Sequence, residues 1–184
     1  MIVLKIIAII FFYVSHCNLF SQDMIFESFN DKEYRGWEFI TDQVMGGVSS
    51  GNYKVLIEDN VSFIRMTGNV SLKNNGGFIQ VRKIMDETKN INFKEIILNA
   101  RGNNSEYYLH IRTKFTLLPW QYYQAKFSVT SMWENYHLNL KDFKRSGVLL
   151  PKKINSRNIK SIALVAFGRE HNVQLDVSNI ILKN

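Results

Sequence analysis

From Gln22 onward the chain alternates apolar and polar positions with a period of two, and turn-forming residues interrupt the alternation at short intervals. Successive side chains of a strand point to opposite faces, so this is the pattern of half-buried antiparallel strands. It predicts strands over 24–29, 37–40, 53–57, 62–67, 77–82, 95–100, 107–113, 122–129, 135–140, 162–167 and 173–182. No long stripe of helical spacing competes with them. Gly46-Gly47, Asn74 to Gly77, Gly102 to Asn104 and Gly147 mark loops with residues that accept positive φ. So many short strands imply an all-β sandwich of the jelly-roll kind. No repeat, low-complexity tract or linker divides the chain, so residues 22–184 read as one domain.

Ile-Ala-Leu-Val-Ala-Phe at 162–167 is apolar on both faces and predicts a central strand covered on both sides. The three strands before it are one-sided. Tyr108, His110 and Arg112 lie opposite Leu109 and Ile111; Gln124, Lys126 and Ser128 lie opposite Ala125, Phe127 and Val129; Asn135, His137 and Asn139 lie opposite Tyr136, Leu138 and Leu140. If these strands pair, their polar sides form one face on which amides, imidazole and guanidinium supply directional bonds. Trp120 and Trp133, at nearby strand ends, would extend that face with flat apolar surface, which is what a glycan or a polar protein surface needs.

The first 21 residues break the pattern. A lone charge at Lys5, an unbroken apolar run from Ile6 to Val14 and then small and polar residues have the grammar of a secretory signal peptide. The run is about half of the roughly 20 residues that span a bilayer. Its removal would take away Cys17, the single cysteine, leaving no thiol chemistry or disulfides. The expected address is periplasmic or extracellular.

The chain is basic, with a formal net charge of +7. The excess sits at Lys141, Lys144, Arg145, Lys152, Lys153, Arg157 and Lys160, against the single acid Asp142 in that stretch. Such a patch attracts anionic surfaces, with Lys144, Arg145, Lys152, Lys153 and Arg157 as candidate contacts for a membrane or an acidic partner. No nucleic-acid motif accompanies it.

Catalysis has little to stand on. There is no nucleophile elbow, paired-histidine zinc helix, phosphate loop or dinucleotide fingerprint. His110, His137 and His171 have no metal-ligand spacing, and the acid pairs Glu58-Asp59 and Asp86-Glu87 fall at apparent turns. Oxygen ligands for calcium near Asp31, Glu33 and Asp42 are a weak signal. No catalytic residue, cofactor or metal is expected.

The least ordinary stretch is Asp42-Gln43-Val44-Met45-Gly46-Gly47-Val48-Ser49, an apolar pair inside a Gly- and Ser-rich loop. Asp42 or Ser49 can satisfy loop amides, and a turn that locks Met45 into the core is the expected structure. A phosphate cradle would want a helix next, whereas the following segment reads as a strand.

This string, with Trp37 before it, Gly68-Asn69-Val70-Ser71-Leu72 and Asn75-Gly76-Gly77-Phe78 with Val81-Arg82 after it, resembles the complex I intermediate-associated protein 30 family. Arg101-Gly102, the stretch from Tyr107 to Arg112, Tyr123-Gln124-Ala125 with Phe127, and Leu140 with Asp142-Phe143 continue the match in the family's order. The resemblance implies a galactose-binding-like β-sandwich and a non-enzymatic role, since its mitochondrial members are assembly factors that bind intermediates of respiratory complex I by protein contact. The expected function is therefore a binding protein of assembly-factor or accessory type, with an exported carbohydrate-binding module as the alternative. The candidate binding residues are Asp42, Met45, Gly46, Gly47, Ser49, Tyr108, His110, Arg112, Trp120, Gln124 and Trp133. A protein partner, such as a membrane-complex subunit, or a glycan would be the ligand, with peripheral membrane association through the basic patch.

Overall fold

Twelve strands, joined by short 3-10 turns, build the computed structural model, which describes residues 23–30, 36–86 and 91–184. The apolar N-terminal segment, Asp31, Glu33 and Glu87 lie outside the described residues. In chain order the strands are β1 (Met24–Glu27), β2 (Trp37–Thr41), β3 (Ser50–Glu58), β4 (Val61–Val70), β5 (Phe78–Ile84), β6 (Glu95–Gly102), β7 (Glu106–Thr113), β8 (Tyr123–Ser128), β9 (Glu134–Asn139), β10 (Lys144–Arg145), β11 (Ile159–Phe167) and β12 (His171–Lys183). Every segment predicted from the alternation forms a strand. The addition is β10, whose two residues are too few to carry a period.

The strands form two antiparallel sheets. Sheet I has the order β3-β4-β12-β6-β9, with β1 also paired to β12, and sheet II has the order β10-β8-β7-β11-β5-β2. The core lies between them. Ile64, Met66, Ile96, Leu98, Leu175 and Val177 of sheet I face Ile79, Val81, Tyr107, Leu109, Ile111 and Leu164 of sheet II, all essentially inaccessible to solvent. At roughly 1.5–3 kcal/mol for each large apolar side chain buried, this interlayer holds the sandwich closed. No helix among the described residues is long and apolar enough to cross a membrane.

Strand β11 is central in sheet II, as expected, but its second face is covered differently from the expectation. Ile162, Leu164 and Ala166 pack into the core, while Ser161, Ala163 and Val165 point outward and are buried under the longer side chains of β7 and β5 beside them. No strand or helix among the described residues lies over that face.

The adjacency assumed for the three one-sided strands holds for two. β7 pairs β8, with His110 opposite Gln124, but β9 pairs β6 at the edge of sheet I, with His137 opposite Ile97. Alternation tells which side of its own sheet a residue takes; it carries no information about which strand is the neighbour.

Candidate functional site

The Gly-Gly loop lies at the end of the sandwich where β2 stops and β5 starts. Thr41 accepts a hydrogen bond from the Gln43 amide at 3.2 Å and begins a 3-10 turn over Asp42–Met45, which Gly46 ends at φ 87°. Asp42 is fully buried. One carboxylate oxygen accepts from the Ser49 amide at 2.9 Å; the other accepts from the Gly77 amide at 2.5 Å, the Phe78 amide at 3.3 Å and the Ser49 hydroxyl. Ser49 Oγ in turn accepts from the Ser71 amide at 3.0 Å, so one carboxylate ties together three separated loop segments. Burial by itself would raise the pKa of Asp42, but these donors outweigh it and hold the group below the usual aspartate range.

The roles expected for this loop are exchanged. Met45 is 61% exposed and Val44 72% exposed, so Met45 is not locked into the core; Asp42 is. Four donors compensate the buried charge, and a 3-10 turn of four residues leaves no way to bury the side chains on its far side. Gly47 and Gly76 are there for space: a Cβ on either would stand 2.3 Å and 2.4 Å from Asp42 atoms. Together with Val48 and Leu72, Val44 and Met45 leave apolar surface open around a rigid polar knot.

The outer face of sheet II carries a transverse row set by register: Lys144, Gln124, His110, Ala163, Arg82 and Glu38 are successive cross-strand neighbours. At about 4.8 Å between strands the row crosses about 24 Å. The small Ala163 and Ser161 make a trough flanked by His110, Arg112, Gln80 and Arg82, with Tyr122 and Pro119 at one side. His110 stacks on Tyr122 with ring centroids 4.1 Å apart and planes 9° from parallel. Phe167 meets Tyr108 edge-on at 4.7 Å and His110 at 5.3 Å. Burial pushes the His110 imidazole down to about 3, against an upward pull from Gln124, so the ring is neutral at physiological pH. Three buried polar atoms on this face, His110 Nε2, Gln124 Oε1 and Arg82 Nε, make no well-formed hydrogen bond within the protein, although the Gln124 side chain lies close enough to His110 to favour its proton.

Beyond His110 in the same row, a separate cleft of about 500 Å³ opens between the edges of the two sheets, lined in part by Tyr108, Gln124, Lys126, His137, Asn139 and Lys144. The polar side chains of β9 thus reach the same surface as those of β7 and β8, across the gap between sheets instead of along one sheet. Arg112 shares the face, yet its guanidinium donates to the carbonyls of Thr116, Leu118 and Pro119 at 3.1, 3.0 and 3.2 Å and holds the β7–β8 loop in place. Trp120 is 66% exposed on that loop.

Trp133 does not join this face. Its ring packs edge-on against Phe63 at 5.4 Å and under the Arg101 guanidinium at 4.7 Å, on the outside of sheet I. There Arg65 and Arg101 both bind the buried Asp176, at 2.7 and 2.9 Å, and Glu58 pairs with both arginines. Glu58, placed by the sequence only at an apparent turn, is therefore part of an ion-pair network.

Gln80, Arg82, Tyr122 and Phe167 belong to the face, and the reading of single strands passed over them. The signal was present: alternation over 77–82 puts Phe78, Gln80 and Arg82 on one side. Among the basic residues, Lys144, Lys152, Lys153 and Arg157 are exposed, while Arg145 donates to the carbonyls of Val148 at 2.7 Å and Leu150 at 2.5 Å. Among the described residues no group of three His, Cys, Asp or Glu side chains is placed to hold a metal ion.

The sequence model of the family described as complex I intermediate-associated protein 30 matches residues 26–177. No curated protein sequence matches the chain. Among solved structures, the family 11 carbohydrate-binding module of a cellulosomal cellulase of Clostridium thermocellum superposes with a TM-score of 0.72 at 12% identity, covering 89% of this chain and 95% of that one. A family 11 module from the same organism, in complex with a β-1,3-1,4-mixed-linked tetrasaccharide, gives 0.70 at 13% identity, covering 88% and 95%. An exo-β-agarase gives 0.58 at 10% identity, covering 89% of this chain and 25% of its own. At these identities the likeness is one of fold: a galactose-binding-like β-sandwich.

Proposed function

Since the chain belongs to the complex I intermediate-associated protein 30 family, whose fold it shares with carbohydrate-binding modules, we propose that it is an exported, non-catalytic binding protein that holds a hydroxyl-rich chain, an oligosaccharide, across the outer face of sheet II. The observation that carries this reading is the set of buried, unpartnered polar atoms, His110 Nε2, Gln124 Oε1 and Arg82 Nε, beside the Tyr122, Tyr108 and Phe167 rings. An unsatisfied buried polar atom costs about 1–3 kcal/mol, which a ligand hydroxyl or a water repays. Neutral His110 and the Gln124 amide suit hydroxyls, which both donate and accept, and the aromatic rings give sugar C–H faces a flat contact. The cleft lined by His137, Asn139 and Lys144 extends the surface so that a chain of several units can lie along it.

A glycan array followed by calorimetry tests this. Gln124→Ala and Tyr122→Ala should each weaken the retained oligosaccharide at least about tenfold, as the loss of one buried hydrogen bond or ring contact requires, with melting little changed. Retention of no oligosaccharide, or undiminished binding by both variants, overturns the reading.

A second reading is a protein partner of assembly type, which the family's description favours. Its specific support is the exposed apolar group Val44, Met45, Val48 and Leu72 around the Asp42 knot, a surface that suits docking of another protein. Crosslinked capture of defined membrane-complex subunits that is lost in Val44→Asp/Met45→Asp, but kept in Gln124→Ala, would establish it. Equal capture by all three forms would sink it.

A further inference from the structure

The end of the sandwich opposite the Gly-Gly loop has a construction of its own. Two loops meet there, 114–122 between β7 and β8, and 146–158 between β10 and β11. Ser146 joins them: its hydroxyl donates to the Trp120 carbonyl at 2.8 Å and accepts from the Tyr122 amide at 2.9 Å. Within each loop long polar side chains bond part of the backbone. Arg112 binds three carbonyls of the first loop, and Gln121 accepts from the Leu117 and Leu118 amides at 2.8 and 3.0 Å. In the second, Arg145 binds the carbonyls of Val148 and Leu150.

With the backbone turned inward, the apolar side chains are turned out. Leu117 is 82% exposed, Val148 82%, Leu149 88% and Trp120 66%, a concentration of exposed apolar groups that a soluble surface rarely carries. Exposed cations flank them: Lys114, Lys152, Lys153 and Arg157, with the Lys114 amide bonded to the Asn158 carbonyl beside Arg157.

We infer that this end of the molecule is a membrane-docking tip, which seats Leu117, Trp120, Val148 and Leu149 in the interfacial layer of a bilayer while the surrounding lysines meet anionic phospholipid headgroups. Three features select a lipid surface as the occupant. Many carbonyls and amides of both loops, among them the Trp120 and Val148 carbonyls and the Leu117 amide, are already paired, so entering a medium without water strands fewer of them. The apolar side chains are largely exposed at the tips of their loops, an arrangement suited to penetrating a layer and not to receiving a side chain. The cations sit around the apolar group, where headgroup charge would lie once it is seated. Cross-strand ties and the two arginines hold the tip in its docking shape beforehand, so little ordering is lost on contact. The trough on sheet II borders the first of these loops through Pro119 and Tyr122, but this inference rests on the tip's own residues and stands independently of what that trough binds.

Flotation of the full chain with phosphatidylcholine vesicles, with and without phosphatidylglycerol, tests the tip, with wild type and variants sharing the same N-terminal segment. Binding is expected only to the anionic vesicles and should decline steadily with salt. Lys152→Glu/Lys153→Glu should weaken it by roughly 30-fold or more, at about fivefold for each lysine lost. Val148→Asp/Leu149→Asp should weaken it at least about tenfold, since two of the four insertion side chains are replaced by charges. Brominated acyl chains should quench tryptophan emission in wild type and not in Trp120→Phe, because Trp37 is buried and Trp133 packs on sheet I. Equal binding to neutral and anionic vesicles, no vesicle binding, or variants with matching melting curves that float like wild type would each overturn the assignment.

Discussion

Replacing Asp42 should damage this protein more than any other single polar substitution around its loops. Alanine strands the Ser49 and Gly77 amides, both bonded to the carboxylate at 2.9 Å or closer in a site with no solvent exposure. At about 1–3 kcal/mol for each orphaned donor, and with Phe78 and the Ser49 hydroxyl weakened as well, the expected loss is about 4 kcal/mol, a large part of a stability of about 5–15 kcal/mol. Asparagine keeps the shape but must aim its NH₂ at one of the donors, so about 2 kcal/mol should be lost. Urea denaturation measures both through the midpoint at unchanged slope.

The pH dependence supplies a second check. The folded-state pKa of Asp42 lies below its ordinary value of about 3.9, so the carboxylate's contribution is fully present above about pH 4 and is lost as pH falls through the lower, folded value. Asp42→Asn should lack that part of the acid destabilisation. A loss under about 1 kcal/mol for Asp42→Ala would show that water replaces the carboxylate freely, and would refute the account of the loop as a knot built on one buried charge.

Neighbouring glycines should separate by cause: Gly47→Ala drives a Cβ into Asp42 and should cost several times more in urea stability than Gly46→Asn, which meets nothing within 4 Å and tolerates the positive φ. Trp133→Ala should lower stability by about 2–3 kcal/mol because it uncovers Phe63 and Arg101, while Trp120→Ala should change melting little; equal effects would contradict their placement. His110 binds its proton far less readily folded than unfolded, with a folded pKa of about 3. Its contribution is full above about pH 6.5 and falls on acidification towards pH 3, by up to about 1.4 kcal/mol per unit. His110→Gln should flatten melting temperature against pH between 4 and 6.5, and an unchanged profile would mean that the imidazole is hydrated.

Much of the architecture was legible in one dimension. The period of two located every strand of more than two residues, and it correctly set Tyr108, His110 and Arg112 apart from Leu109 and Ile111, because the pleat forces neighbours to opposite faces whatever the partner strand is. The Asp-Gln-Val-Met-Gly-Gly-Val-Ser string was also rightly singled out, though the physics in it was misassigned: hydropathy ranks Met45 as the core residue, and only the convergence of amides from positions 49, 77 and 78 makes burial of Asp42 favourable.

One dimension thus carried the layers: two faces for each strand, an all-β sandwich, a basic stretch over 141–160 and a family-typical loop. Tertiary structure decided everything that depends on residues far apart in the chain. It put β9 in sheet I and still brought His137 and Asn139 across to Gln124, assembled the trough from β5, β7, β8 and β11, sent Trp133 to the opposite side, and gathered Leu117, Trp120 and Leu149 at one end. The physical reason is that face is a local property of the backbone pleat, whereas strand order and loop proximity are set by which pairings together bury the most apolar surface, and no periodicity along one strand encodes its neighbour.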